Sequence, residues 1–210
     1  MGKEVENYIM KTVLVLFFSL LATACSIEEI QDELGIEYEP TESIEGATWT
    51  TECLSTGAGA FQKRSVIYSN GTYTQTTLAY SDLCETADVE IKEVGSYTVQ
   101  GPTRDDSIMI KLDRTVAVYS VKPLVASVSS AYQSASLCGV TTWSLGVAQD
   151  LLGKSCNGSV MPSLGQKIYD LYSISTNTGD LRFGIMDIAN PGTSSATRPV
   201  AVATNPRYRK

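Results

Sequence analysis

An all-β antiparallel domain, closed as a barrel or, alternatively, folded as a β-sandwich, is what this sequence predicts, and three observations predict it. About nine short runs rich in Val, Ile, Thr, Tyr and Trp recur with turn residues between them at roughly ten-residue spacing, the pattern of barrels and sandwiches. Residues 46–210 carry no sustained apolar period of 3.6, the mark of an amphipathic helix. The dipeptide Asn70-Gly71 stands between two β-prone runs, and both residues tolerate the positive φ that a tight hairpin turn requires.

The elements follow in order. Residues 47–53 alternate Thr with Trp49 and suit a first strand. Residues 54–60 are small and read as a loop. Residues 61–69 and 72–80 form the Asn-Gly hairpin, whose register sets Tyr68 opposite Tyr73 and Ile67 opposite Thr74. Residues 89–99 make the next strand, with a bulge or bend at Gly95. A turn over Gly101, Pro102 and residues 104–106 leads to a strand over 107–112. Asp113-Arg114 reads as a second turn, into a strand over 115–121 that Pro123 ends. Residues 124–137, rich in Ser and Ala, are assigned a strand followed by a loop, with a short helix as the alternative. Residues 140–145 read as a strand with Trp143 inward, and 150–165 as turns. Strands over 167–174 and 180–185 follow, joined through Asn177 and Gly179. A long loop over 190–199 precedes a closing segment near 200–203.

Ahead of the domain, residues 13–22 are ten without a charge. A helix of that length spans about half of a ~30 Å hydrocarbon core, too little for a membrane span and right for a signal-peptide core. Ala22, Thr23 and Ala24 then lead to Cys25. This resembles the bacterial lipoprotein signal, with Leu21 one place earlier than in the family pattern. The resemblance implies lipidation of the Cys25 sulfur, a mature terminus at Cys25 and attachment to the envelope membrane. Ser26 after the cysteine implies the outer membrane. Acyl chains hold by burying CH₂ groups at ~0.8 kcal/mol each. The alternative is an ordinary secretory signal cut after Ala24. Met10 with Lys11 makes a more compact start than residues 1–9, which carry Glu4 and Glu6, so Met10 competes with Met1 as initiator.

The chain thus divides into a signal peptide (1–24), a lipidated cysteine with an acidic tether (25–45) and an antiparallel β domain (46–210). Of 16 basic and 23 acidic residues, eight acidic ones (Glu28, Glu29, Asp32, Glu33, Glu37, Glu39, Glu42 and Glu45) fall in the tether, which has no Lys or Arg. It reads as a self-repelling spacer, with cation or partner docking as the alternative. The domain is nearly neutral, so no nucleic-acid partner is expected. Cys53, Cys84, Cys138 and Cys156 remain after Cys25, and in an exported chain they read as two disulfides. Of three connectivities, Cys53–Cys84 with Cys138–Cys156 is preferred, because each closes a local loop. Each is then worth ~3–4 kcal/mol on the chain-entropy model. A four-cysteine zinc site is the rival, without the Cys-x-x-Cys spacing such sites use.

The chain has no histidine, which removes Ser-His-Asp and Cys-His nucleophiles and histidine-ligated metals. No phosphate-cradling glycine loop is present. Asp105-Asp106 reads as a solvated turn, since adjacent strand residues face opposite ways. Asn70 and Asn157, each in a glycosylation-type sequon, read as turns. No metal, no cofactor and no enzymatic activity are expected. Eleven tyrosines against four phenylalanines suit a barrel mouth, a sugar-binding face, a protein contact or strands packed on one face. Gly46 and Trp49 at the domain start, with Arg198 late, loosely resemble the lipocalins, in which a late arginine covers a Gly-x-Trp on the first strand; here the spacing is Gly-x-x-Trp. The resemblance implies a lipocalin-like barrel holding a small apolar or amphipathic ligand, lined by Trp49, Tyr68, Tyr73, Trp143 and Tyr169. The alternative is a structural lipoprotein that binds an envelope protein through loops such as 190–199 and has no pocket.

Overall fold

The computed structural model describes residues 43–57, 59–103 and 108–210. The expected signal peptide, the lipidation candidate Cys25, the expected tether as far as Glu42, and the pair Asp105 and Asp106 lie outside these residues. In chain order the strands are β1 (Thr48–Thr51), β2 (Leu54–Gly57), β3 (Ala60–Ser69), β4 (Thr72–Tyr80), β5 (Val89–Pro102), β6 (Ile110–Pro123), β7 (Gln149–Asp150), β8 (Ser155–Cys156), β9 (Ser159–Val160), β10 (Lys167–Ile174), β11 (Leu181–Phe183) and β12 (Tyr208–Arg209). Strands β1, β3, β4, β5, β6, β10, β11 and β12 pair antiparallel in that order. Because β1 pairs with both β3 and β12, the sheet closes on itself. The result is an eight-stranded up-and-down barrel rather than a sandwich, with β2 and β7 added at its margin. Closure removes the free sheet edges that would otherwise template aggregation.

Local chemistry sets the register. Asn70 and Gly71 both have positive φ (51° and 72°), the geometry of the two-residue hairpin turn, and they place Tyr68 opposite Tyr73 and Ile67 opposite Thr74. Alternation then turns Val66 and Tyr68 of β3, with Tyr73 of β4, into the barrel. The β5–β6 pairing shifts between Val94 and Gly95. A Cβ at Gly95 would lie 2.0 Å from the Thr115 carbonyl oxygen and 2.8 Å from the Tyr73 ring. The bulge is therefore a place where only glycine lets the neighbouring backbone and an aromatic ring approach.

One end of the barrel is solid. Trp49, Tyr68, Tyr73, Tyr97, Tyr172 and Tyr208 pack there with Ile44, Val66, Ile110, Leu112 and Leu181. Tyr68 meets Tyr97 edge-on at 4.9 Å between ring centroids, within the range aromatic pairs prefer. Ile44, from the last residues of the acidic segment, is fully buried in this floor, and its carbonyl accepts a 2.9 Å bond from Trp49 Nε1. Glu45 hydrogen-bonds the Tyr97 hydroxyl.

The opposite end carries the irregular segments. Residues 124–166 form a second core in which Trp143, Val140 and Leu151 pack on Val89 and Val121. Both disulfides lie at this end, Cys53–Cys84 and Cys138–Cys156, as the local-loop argument prefers.

Several elements differ from the sequence reading, each for a physical reason. Asp113-Arg114 is no turn but the middle of the continuous strand β6, because Arg114 finds carboxylate partners inside the barrel and Asp113 finds a guanidinium outside it. Residues 124–137 contain the helix α1 (Ala126–Ser134) in place of a strand. Val128 and Tyr132, four apart, lie on one helical face and pack into the second core, with Tyr132 edge-on to Trp143 at 5.0 Å. Residues 140–145 form no sheet, although Trp143 is buried as expected. The small-residue loop 54–60 contains β2, paired to β3. The closing strand is β12, not 200–203, of which only Val202 makes a bridge, to Gly184.

Candidate functional site

Above the aromatic floor the inward positions turn polar. On β3, Val66 and Tyr68 are followed in the same alternation by Arg64 and Gln62. On β4, Tyr73 is followed by Gln75 and Thr77. On β6, Ile110 and Leu112 are followed by Arg114, and Asp170 stands on β10 directly opposite Leu112. These side chains form a charged layer across the barrel.

Arg114 is its centre. It is buried, with Nη2 donating to Asp170 Oδ2 at 3.2 Å and Nη1 3.4 Å from both Glu93 Oε1 and Gln75 Oε1. Its guanidinium lies 5.4 Å from the centre of the Tyr73 ring, a cation–π distance. The Tyr73 hydroxyl donates to Glu93 Oε1 at 2.8 Å. Asp170 Oδ1 accepts the backbone N–H groups of Leu171 (2.7 Å) and Gly184 (3.1 Å). Burial pulls the Arg114 pKa down, but Tyr68, Asp170, Glu93 and Tyr73 outweigh it and hold the guanidinium above its usual value. Burial pushes the Asp170 carboxyl up, against the opposing pull of Arg114 and the two amides. Burial also raises Tyr68 and Tyr73, and Glu93 adds to the rise at Tyr73. Among the described residues, the buried Tyr68 hydroxyl and Arg114 Nε have no hydrogen-bond partner.

The barrel is hollow over this layer. One cavity of about 390 Å³ lies between Arg64, Gln75, Glu93, Ile91, Tyr119 and the capping residue Pro162. A second of about 250 Å³ lies between Arg64, Gln75, Arg114, Asp170, Phe183 and Met186. Arg64 and Gln75 line both, so the two are neighbouring cavities that share a wall. They lie over the charged layer, and Pro162 of the disulfide-held segment 124–166 covers part of the larger one.

None of the five aromatic residues expected to line a pocket borders these two cavities. Trp49, Tyr68 and Tyr73 are in the solid floor, each no more than 1% exposed. Trp143 is in the second core, its Nε1 donating to the Leu137 carbonyl at 3.2 Å. Tyr169 faces outward under Arg198, whose guanidinium lies 5.5 Å from the ring centre. Arg198 does not cover Trp49. It binds the Asp170 carbonyl and Asp113 Oδ1, each at 2.5 Å, pinning the loop 190–199 to the outside of β6 and β10. The cation over Trp49 is Lys210, 4.9 Å from the ring centre.

The cavity residues Arg64, Gln75, Glu93, Arg114 and Asp170 were not singled out in the sequence, yet a signal for some of them existed. The Asn-Gly register puts Arg64 and Gln75 on the same face as Tyr68 and Tyr73. No protein-family model matches this sequence, and no curated protein matches it.

Proposed function

We propose that this chain is an exported, lipid-anchored, lipocalin-like barrel that holds a small amphipathic molecule in its open half. The observation that carries the binding reading is the division of the interior. One end is packed solid with aromatic rings, and above it lie two neighbouring cavities of about 390 and 250 Å³, the larger within the size range of small-molecule sites. The walls are mixed: Ile91, Tyr119, Phe183 and Met186 are apolar, while Gln62, Thr77 and Arg64 are polar. Such a lining suits a molecule with one polar and one apolar end. Eight-stranded up-and-down closure, the lipocalin architecture, supports that part of the reading. The anchor rests on the apolar run 13–22 and the small residues before Cys25.

Two measurements test this. Titration with an anilinonaphthalene sulfonate probe should give a saturable one-to-one fluorescence gain that amphiphiles compete away. Thr77→Trp, which fills the larger cavity, should abolish it while the fold persists by circular dichroism. Absence of saturable binding would turn the reading toward a lipoprotein that works through its loops. Mass spectrometry of the mature terminus should find acylated Cys25, and Cys25→Ser should release the protein from membranes; an unacylated terminus refutes the anchor.

A further inference from the structure

We infer that the larger cavity holds a neutral, hydroxyl-rich head of hexose size, so that the amphiphile this barrel takes is a glycoside. This deepens the proposed function and rests on the barrel being an amphiphile binder.

Strand register builds the wall of that cavity. Arg64 of β3 stands opposite Thr77 of β4, and Thr77 opposite Ile91 of β5. One step nearer the floor, Gln75 of β4 stands opposite Glu93 of β5, and Glu93 opposite Tyr119 of β6. Side chains directly opposite in an antiparallel pair lie about 5 Å apart. The two rows are therefore a grid on four neighbouring strands, and every member lines the cavity of about 390 Å³. Gln62, the next inward residue of β3, adds a second amide to it.

The uncommitted polar atoms of this wall are of both kinds. Glu93 spends Oε1 on the Tyr73 hydroxyl and Arg114, and Gln75 turns Oε1 to Arg114. Among the described residues, Glu93 Oε2, Gln75 Nε2 and the side chains of Gln62, Thr77 and Tyr119 hold no hydrogen bond. None of these atoms is sealed inside protein as the Tyr68 hydroxyl is, so a molecule in the cavity can reach them. The amide NH₂ groups donate, Glu93 Oε2 and Gln62 Oε1 accept, and the two hydroxyls do either. Burial, then Glu93, raises the Tyr119 hydroxyl and keeps it protonated at neutral pH. A ring with hydroxyls on neighbouring carbons answers such a wall, because each one both donates and accepts. A carboxylate or an ether accepts only and leaves the acceptors unmet; an ammonium donates only and leaves the donors unmet.

Charge and apolar surface agree with this. The two cavities are lined by two guanidiniums, Arg64 and Arg114, and two carboxylates, Glu93 and Asp170, and Arg114 pairs with both acids. A head of either net charge therefore meets a like charge, and a neutral one does not. Ile91, Pro162 and the Tyr119 ring supply apolar surface beside the polar grid, a match for the C–H face of a pyranose ring.

Calorimetric titration below the micellar concentrations with octyl glucoside, tetraethylene glycol octyl ether and octanoate tests the head group. The glucoside should bind about tenfold or more tightly than either of the others, the effect of two or three neutral hydrogen bonds. Gln62→Leu with Thr77→Val should bring the glucoside down to the level of the ether and leave the ether unchanged, with the circular dichroism spectrum intact. Tyr119→Phe removes one hydroxyl alone; it should weaken the glucoside several-fold and the ether not at all, and it carries the test should the double variant not fold. Equal binding of glucoside and ether by the unaltered protein, or tighter binding of octanoate, overturns the head-group assignment and leaves amphiphile binding standing. A folded variant that keeps the glucoside preference, or loses both ligands equally, overturns the placement on this wall. Failure of all three ligands to bind removes the underlying reading as well.

Discussion

At Gly95 the lack of a side chain is what lets β5 and β6 approach across their bulge. A methyl group there would lie 2.0 Å from the Thr115 carbonyl oxygen, against backbone that cannot swing aside. Gly95→Ala should therefore cost about 3 kcal/mol or more, at the upper end for overpacking, read as a shift in the urea midpoint. The charged layer makes a second residue-scale prediction. Removing one member of a buried ion pair leaves the other uncompensated, typically at ~3–5 kcal/mol. Arg114→Met and Asp170→Asn should each be strongly destabilising, while the double variant loses clearly less than the sum. A double-mutant cycle measures the coupling, and additive losses would show that the 3.2 Å pair is energetically idle. Arg114 also shows where reading residue by residue stops. Two adjacent charges between apolar runs look like a solvated turn. Only the arrival of Glu93 and Asp170 from strands distant in sequence makes their place inside a barrel sensible.

Strands of very unequal length compose the barrel. Strands β5 and β6 span Val89–Pro102 and Ile110–Pro123, whereas β11 covers Leu181–Phe183 and β12 only Tyr208–Arg209. Backbone protection scales with such pairing, so native-state hydrogen exchange should be fastest at the β11–β12–β1 seam and slowest in β4, β5 and β6. The segment 124–166 depends on its disulfide instead. Cys138→Ser with Cys156→Ser removes a bridge of sequence separation 18, worth ~3 kcal/mol on the entropic model. Exchange should accelerate in that segment and leave β3 to β6 protected; equal acceleration throughout would show that cap and barrel fold as one unit. Elements with period-two patterning and strong turns were legible beforehand: the Asn70-Gly71 hairpin, the Gly95 bulge and the strand over 167–174. Those without such signals were not. The helix Ala126–Ser134 is mostly weak formers, Ser, Val and Tyr, and is held because Val128 and Tyr132 have the second core, with Trp143, to pack on. The two-residue strand β12 carries too little sequence to announce itself.

Across the molecule, tyrosine sets the response to alkali. Burial, the leading cause in each case, holds the Tyr68, Tyr73 and Tyr97 hydroxyls above the ordinary value of 10.0; Glu93 adds to the rise at Tyr73 and Glu45 at Tyr97. A folded-state pKa above the unfolded one means that the unfolded chain releases these protons first. Stability is then whole below about pH 10 and falls as pH rises beyond it. Phenolate absorbance should lag behind that of free tyrosine and then rise together with the loss of circular dichroism; smooth titration near pH 10 in an intact fold would contradict the packed floor. The fold class was legible from composition and turn spacing, and the cavities only in part, because their walls are polar residues that become neighbours through closure alone. Closure also brings the first and last described residues together beneath Trp49, where the Ile44 carbonyl takes the indole N–H and Lys210 lies over the ring. Anything spliced on after Lys210 would therefore emerge from the base of the cup, on the far side from its opening. A reporter or a surface linkage placed there leaves the opening unobstructed, and a short peptide joining Lys210 back to Ile44 would let the chain be recut at the Asn70-Gly71 hairpin without disturbing the pairing.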